Sequence, residues 1–123
     1  MNMNVNGAPK NDDPGLKFDA GKPSASLLPG MALLEVAKVL DFGAQKYAKQ
    51  NWRKGMKISR LYDAAMRHML AINDGELTDP ESGLPHAAHV CCCLLFAMDL
   101  HVTAPEFDDV YRKPSDPVEK RPA

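Results

Sequence analysis

The sequence lacks the features that mark membrane-spanning, secreted or nucleic-acid-binding proteins. Its longest apolar run, Val90 to Met98, covers nine residues, whereas a helix that crosses a bilayer needs about 20. The net charge is −1, so no basic field predicts binding to DNA or RNA. The first thirty residues contain no charged segment followed by an apolar one, as a secretory signal would. We therefore expect a cytoplasmic protein that binds neither membranes nor nucleic acid.

Cysteine is scarce, and its placement excludes two common uses. The three cysteines are consecutive, Cys91 to Cys93. Neighbouring side chains on a helix point about 100° apart, so these thiols cannot chelate one metal ion as a Cys-x-x-Cys pair does. An odd number of cysteines inside an apolar run also does not fit a secreted disulfide framework. We predict reduced cysteines in the core.

Strand patterns are absent, and helical patterns take their place. No segment alternates apolar and polar residues over five or more positions. Apolar residues recur at intervals of three and four from Met31 to about Lys49, and again from Ser59, a predicted N-cap, to Gly75. A third segment begins near Ser82–Pro85, continues to about His101 and is apolar nearly all round. We predict an all-α fold, a small bundle of three main helices with the third buried at its centre.

The helical domain is predicted to span residues 17–102, between two flexible arms. Residues 1–16 have no periodicity and little apolar surface to bury, which predicts a disordered arm. Residues 103–123 form a proline-rich tail that either packs locally or docks on a neighbouring subunit. Three helices of this length make a thin core for one chain. We therefore expect association into a homo-oligomer, a dimer or a larger bundle.

The strongest candidate site is a cluster of imidazoles and carboxylates around the start of the third helix. His86 and His89 are three residues apart and share one helix face, with Asp79 and Glu81 just before them. His68 lies on the apolar face of the second helix. We predict that His68, Asp79, His86 and His89 hold a divalent metal ion. The alternative is that each histidine is a buried polar group hydrogen-bonded to a neighbour, and that Asp79 only caps the helix.

A short basic and aromatic segment between the first two helices is a candidate nucleotide contact. Trp52 can stack on a base, while Arg53 and Lys54 beside it can hold phosphates. The alternative is a surface tryptophan that caps the helix bundle.

Three further charged residues are weaker candidates. Two of them have a second interpretation, and the third lacks the motif that its role would need. Glu35 lies among apolar residues and either faces water at the edge of the stripe or turns inward toward a cation. Arg67 can bind phosphate, or it can form an ordinary i, i+4 salt bridge with Asp63. Lys22 follows a glycine, but the glycine spacing of a phosphate-binding loop is absent.

Several short motifs carry a resemblance to a known family. In order along the chain they are FDAGKP (18–23), FGAQKY (42–47), NWRKG (51–55), RH (67–68) and DPESGLPHAAH (79–89). These motifs resemble the dATP/dGTP diphosphohydrolase N-terminal-domain family, which is widespread in bacteriophage genomes. The resemblance covers about residues 17 to 100.

A more distant similarity links this family to the MazG-type all-α nucleoside-triphosphate pyrophosphohydrolases. Those enzymes cleave between the α- and β-phosphates and hold Mg²⁺ with helix carboxylates, in a Glu-Glu-x-x-Glu run and a later Glu-x-x-Asp pair. Here Arg67-His68 and His86-x-x-His89 stand about where those acidic motifs should be. This departure favours a metal that accepts imidazole, such as Mn²⁺, Zn²⁺ or Fe²⁺, over Mg²⁺.

The residues and the resemblance together predict metal-dependent hydrolysis of dATP or dGTP to monophosphate and pyrophosphate, in the host cytoplasm if the protein is phage-encoded. The predicted cofactor is a divalent ion, Mg²⁺ or Mn²⁺, with Zn²⁺ or Fe²⁺ as alternatives. Glu35 or Glu81 would orient the attacking water. The predicted contacts to the purine nucleotide are Lys22, Tyr47, Trp52, Arg53, Lys54 and Arg67. The alternative functions are a phage protein that sequesters a nucleotide without cleaving it, and a structural helical oligomer.

Overall fold

The computed structural model describes residues 13–114 and contains three α-helices in that range. They are α1, Gly30–Lys46, α2, Ile58–Asn73, and α3, His86–Thr103. No strand occurs between residues 13 and 114, where pairing is limited to one isolated bridge between Thr78 and Pro85. The all-α prediction is confirmed. Most of the predicted arm (1–12 of 1–16) and the end of the tail (115–123) lie outside the described residues.

Helix α3 is the central helix because both other helices pack against it, α2 more extensively than α1. Two groups of buried residues hold these contacts. Between α1 and α3 the group consists of Val36, Val39, Ala88 and Cys92. Between α2 and α3 it consists of Ile58, Leu61, Ala97 and Leu100. Phe96 packs against both groups and so joins them into one core.

The prediction that α3 is the central, most buried helix is confirmed by its five buried residues, more than in α1 or α2, but part of its apolar surface is exposed in the described chain. Leu94, Met98 and Val102 are 41%, 61% and 82% exposed. An exposed apolar face of this kind is what association of chains would cover, and the homo-oligomer stays a prediction. Among the described helices, α3 is also long and apolar enough to cross a membrane by length and composition. The absence of a membrane partner therefore stays a prediction as well.

The start of α2 differs from the prediction made for Ser59. The residue at the N-cap position is Lys57, and Ser59 lies in the first turn. The backbone N–H and the hydroxyl of Ser59 donate to the carboxylate of Asp109, at 2.9 and 2.6 Å. These bonds hold the pKa of Asp109 below its usual value. A residue fifty positions downstream therefore supplies the capping oxygen that a local side chain usually provides.

The segment that follows α3 returns to the start of α2 in the same chain. It continues through a 3-10 turn, Pro105–Phe107. The Phe107 ring covers Gly55, and Val110 packs against the group of buried residues around Ile58. Of the two possibilities for the tail, the described part therefore shows local packing.

The three cysteines are free but differ in exposure. Cys92 is buried, Cys93 is half-buried and Cys91 is exposed. Burial raises the pKa of the Cys92 thiol to about 12. The prediction of a reduced core cysteine is confirmed for Cys92, whereas Cys91 is not in the core of this chain.

Candidate metal centre and cleft

The loop between α2 and α3 brings its acidic residues to the start of α3. It is closed by backbone hydrogen bonds from Asp79 N–H to the Leu84 carbonyl at 2.8 Å and from His86 N–H to the Leu77 carbonyl at 2.9 Å. Gly83 takes a positive φ of 73° at the tip, which costs glycine little. Helix α3 accordingly begins at His86, immediately after Pro85.

Two histidines from different helices meet beneath this loop. His68 Nδ1 on α2 lies 2.8 Å from His86 Nδ1 on α3. The other ring nitrogen of His86, Nε2, lies 2.7 Å from Glu76 Oε1. A carboxylate accepts hydrogen bonds, so Nε2 of His86 donates, and the two Nδ1 atoms share one hydrogen. His86 is only 4% exposed, which makes it the one buried polar residue of the described chain.

Asp79 completes a group of three possible metal ligands. One donor atom from each of His68, Asp79 and His86 lies within 4.8 Å of the other two. Burial is the largest single influence on the pKa of Asp79, and it raises the pKa. Hydrogen bonds from Ser82 and the charges of the nearby histidines together outweigh burial, so the pKa is lowered overall. Asp79 is therefore a carboxylate at neutral pH, the form that binds cations.

His89 lies beside this group in a different orientation. Its ring stacks on that of His68, with centroids 4.5 Å apart and planes 11° from parallel. Its Nε2 lies 2.7 Å from Ser82 Oγ and 3.5 Å from Asp79 Oδ2. An imidazole lone pair lies in the plane of its ring, so two stacked parallel rings cannot both point at one ion. The geometry therefore favours the three-residue group and places His89 next to Asp79.

The protonation of the histidines suits cation binding. Burial lowers the pKa of His68, and the positive forms of His89 and His86 would lower it further. Burial also lowers the pKa of His89, against the opposing effect of Asp79. Both rings are therefore predominantly neutral at pH 7, and neutral imidazole is the form that binds metals.

The donor set and its spacing fit a transition metal better than Mg²⁺. Two imidazoles and one carboxylate are a common set for Fe²⁺, Zn²⁺ or Mn²⁺, whereas Mg²⁺ prefers oxygen ligands. Donor atoms that share one ion at about 2.1 Å are at most about 4.2 Å apart. The three donor atoms, which lie within 4.8 Å of one another, are therefore close to this limit, and small adjustments of the side chains would bring them around one ion. Each of these imidazoles also has a hydrogen-bonding partner, as the alternative interpretation expected.

An open cleft of about 1040 Å³ lies against this group and is lined by all three helices, the segment that joins α1 and α2, and the loop before α3. This volume is at the upper end of the range of small-molecule sites. Many of the predicted site residues line the cleft, namely Tyr47, Trp52, Arg67, His68, Asp79, Glu81 and His89. His86 does not line it, because it lies below His68 in the protein interior.

Trp52 lines the cleft but has both ring faces covered. Phe96 stacks on it with centroids 4.3 Å apart and planes 11° from parallel. The guanidinium of Arg53 lies 4.5 Å from the same ring centroid, and two groups this close to one centroid must lie on opposite faces. Trp52 therefore caps the bundle, as the alternative interpretation expected, and a base can stack on it only if Arg53 moves.

The two candidate catalytic acids lie in different surroundings. Glu35 pairs with Lys38 at 2.8 Å on the surface of α1 and does not line the cleft. Glu81 lines the cleft, where it pairs with Lys46 at 3.2 Å. This pairing raises the pKa of Lys46. Of the two acids, Glu81 is the one that the fold brings to the site.

The predicted phosphate contacts are also divided. Arg67 lines the cleft and forms no ion pair with Asp63 or any other acid between residues 13 and 114. Lys54 and Lys22 are exposed and do not line it. Lys22 instead closes a turn by donating its backbone N–H to the Asp19 carbonyl at 3.0 Å.

Sequence reasoning missed three residues that contact the site, Glu76, Ser82 and Lys46. Glu76 and Ser82 belong to the same acidic loop as Asp79, so a signal was present for treating the loop as one unit. Nothing in the sequence indicated which atom of the loop each histidine contacts, since that depends on the turn geometry. Lys46 ends α1, where a basic residue has the ordinary role of complementing the helix dipole.

Comparisons with known proteins agree on one family. Over 95 residues the chain is 45% identical to a protein from Salmonella phage PMBT28 named dATP/dGTP diphosphohydrolase. The match covers 77% of this chain but 32% of the phage protein, so the chain spans about a third of that relative's length. No solved structure matches the chain. A family model described as "dATP/dGTP diphosphohydrolase, N-terminal" matches residues 12–110. The chain therefore belongs to the dATP/dGTP diphosphohydrolase N-terminal-domain family.

Proposed function

We propose that the chain binds a purine deoxynucleoside triphosphate in the cleft and, with a divalent metal ion, hydrolyses it to the monophosphate and pyrophosphate. The observation that carries this proposal is the convergence of His68, Asp79 and His86 from two helices and a loop beside a cleft of nucleotide size. The name of the phage relative, dATP/dGTP diphosphohydrolase, supports the substrate class and the reaction.

His68, Asp79 and His86 are the residues that would hold the metal. When bound, such an ion polarises a phosphate oxygen and lowers the pKa of the attacking water. The protein keeps His68 neutral and Asp79 ionised, so both are ready to bind without a change of charge at neutral pH. Because the set contains two imidazole nitrogens, Mn²⁺, Fe²⁺ or Zn²⁺ is preferred over Mg²⁺.

Residues of the cleft wall supply the remaining groups. Glu81 orients the attacking water by accepting its hydrogen, and Lys46, 3.2 Å away, balances the charge of this carboxylate. Arg67 follows directly before His68 on α2 and binds phosphate oxygens next to the metal ligands. The ring of Tyr47 is 66% exposed and lines the same cleft, so it is the aromatic more accessible to the purine, although Lys46 Nζ lies 5.5 Å from its centroid.

Turnover with defined nucleotides tests this proposal. Purified protein, stripped of metal and reloaded with Mn²⁺, is incubated with dGTP or dATP, and the monophosphate and pyrophosphate are quantified. We expect Asp79→Asn to reduce the rate at least 100-fold, because the amide loses the ligand charge while it keeps an oxygen to accept the Ser82 N–H. The matched control is Asp74→Asn, a similar change in the same loop outside the cleft, which should leave the rate unchanged.

Two outcomes would overturn the catalytic proposal. One is the absence of turnover with Mn²⁺, Mg²⁺, Zn²⁺ and Fe²⁺ alike. The other is tight nucleotide binding in excess EDTA with the ligand recovered intact, which calorimetry and chromatography would show and which would instead indicate a nucleotide-sequestering protein.

A further inference from the structure

We propose that Glu76 is a positioning residue that holds the imidazole of His86 in the tautomer and orientation that present Nδ1 to the metal. This inference rests on the proposed function, since it concerns the same metal centre. It assigns a role to a residue that neither the family motifs nor helical periodicity singles out.

The hydrogen bond to Glu76 determines the hydrogen position on His86. Glu76 Oε1 lies 2.7 Å from Nε2, and the side chain of His86 is 5% exposed while that of Glu76 is 53% exposed. The carboxylate can only accept, so it keeps the hydrogen on Nε2 and leaves the lone pair of the neutral ring on Nδ1. That Nδ1 is the atom 2.8 Å from His68 Nδ1, in the group of three possible ligands.

The turn at the end of α2 places Glu76 beside His86. Glu76 N–H donates to the Ala71 carbonyl and Gly75 N–H to the Ile72 carbonyl, both at 2.9 Å. Together with the φ of +100° at Gly75, these bonds form a Schellman motif, which reverses the chain direction after the helix. The side chain that follows the glycine is thereby directed toward the start of α3, and the His86 N–H is tied to Leu77, the next residue.

A carboxylate hydrogen-bonded to a histidine ligand is a common feature of metal sites. A histidine ligand commonly donates its second ring N–H to a carboxylate, which fixes the ring orientation and makes the ligating nitrogen more basic. A solvent-exposed ion pair would have no such effect, because both side chains could turn away into water. Here the imidazole of His86 is buried, so its hydrogen bond to the exposed Glu76 carboxylate fixes the orientation of the ring.

Metal affinity measured on stripped protein tests the inference without any assay of activity. Zn²⁺ and Mn²⁺ are titrated by calorimetry into wild type, Glu76→Ala, Glu76→Gln and the matched control Asp74→Asn. We expect Glu76→Ala to weaken binding about 10–100-fold. Glu76→Gln should weaken it less, because the amide oxygen still accepts from Nε2. Asp74→Asn removes a charge from the same turn without a contact to His86 and should bind within twofold of wild type.

A spectroscopic readout separates positioning from a change in local charge. In long-range ¹H–¹⁵N spectra of the stripped protein at pH 8, His86 should be the Nε2–H tautomer in wild type and Glu76→Gln. In Glu76→Ala the population should shift toward Nδ1–H. Thermal melts confirm that each variant is folded, and Glu76→Gln tests the inference if Glu76→Ala unfolds.

Different failures point to different proposals. Equal metal affinity in wild type and Glu76→Ala, or an unchanged tautomer, would overturn the role of Glu76 and leave the proposed function intact. Loss of affinity in Asp74→Asn as large as in Glu76→Ala would also overturn it, since a general field effect would then suffice. Metal binding that depends on Glu76 in a protein without turnover would overturn the catalytic proposal alone. No metal binding by wild type would overturn both.

Discussion

Replacing leucines on opposite faces of α3 tests how this helix is packed. Leu100 is 1% exposed and belongs to the group of buried residues that contains Ile58, Leu61 and Ala97. Leu94, six residues earlier and on a different face of the same helix, is 41% exposed. Leucine-to-alanine changes at the two positions remove the same atoms from the same type of helix, so differences in helix propensity cancel.

The expected costs follow from burial. Removing three buried carbons from Leu100 loses roughly 2–2.5 kcal/mol of transfer free energy at about 0.8 kcal/mol per methylene. The cavity left behind raises the total free-energy loss to about 3–5 kcal/mol. At Leu94 little more than half of the side chain is buried, which predicts a loss of about 1–1.5 kcal/mol. In a domain of about 100 residues the Leu100 change should lower Tm by roughly 15–25 °C.

Urea unfolding followed by circular dichroism measures the loss in free energy of unfolding for each variant, provided that the slope of the transition is the same in both. Equal losses at the two positions, with an unfolding midpoint that does not change with protein concentration, would refute the packing described here, because they would mean that the same chain covers both faces of α3. If a second copy of the chain provides that cover, the unfolding midpoint will rise with protein concentration. That dependence would establish the predicted homo-oligomer.

The remaining predictions concern pH and glycine. Burial lowers the pKa of His68 and His89 in the folded protein. As the pH falls through about 6.5, the pKa of a histidine in the unfolded chain, the unfolded chain therefore binds more protons than the folded protein. Stability accordingly falls as the pH is lowered. The urea midpoint in EDTA should therefore decrease from pH 7.5 to 5.5, and an increase would contradict these shifts. Gly55→Ala should destabilise the protein by more than 1 kcal/mol, because φ is +99° and a Cβ would overlap the Phe107 ring. Gly43→Ala, in α1 with open space around it, should instead raise the free energy of unfolding by about 0.5–1 kcal/mol. Similar effects of the two glycine changes would contradict the packing of the tail.

The helices could be predicted because their signal is local. The spacing of apolar residues along α1 and α2 depends only on neighbours three and four positions away, and the glycine after Asp74 marks the end of α2. The same local logic failed for the start of α2, which depends on a distant residue. Ser59 looks like a cap in sequence, but the capping oxygen comes from Asp109.

The burial of α3 shows a second limit of sequence patterns. A helix that is apolar all round predicts cover on every side, yet between residues 13 and 114 the elements that cover it are α1, α2, Trp52 of the segment that joins them, and the segment after α3. The composition of a helix indicates how much apolar surface it could bury. The elements that pack against it determine how much of that surface is buried.

For the candidate site, residue types and their spacing were enough to predict the inventory: three histidines, the acids of one loop, and the helix spacing that puts His86 and His89 on one side of α3. The folded structure was needed to show that His68 and His86 face each other through Nδ1, that His89 stacks on His68, and that Glu76 holds the other nitrogen of His86. Residue type and spacing fix which face of a helix a side chain occupies. Ring orientation depends on contacts between helices and on the turn of one loop, and these exist only once the chain has folded.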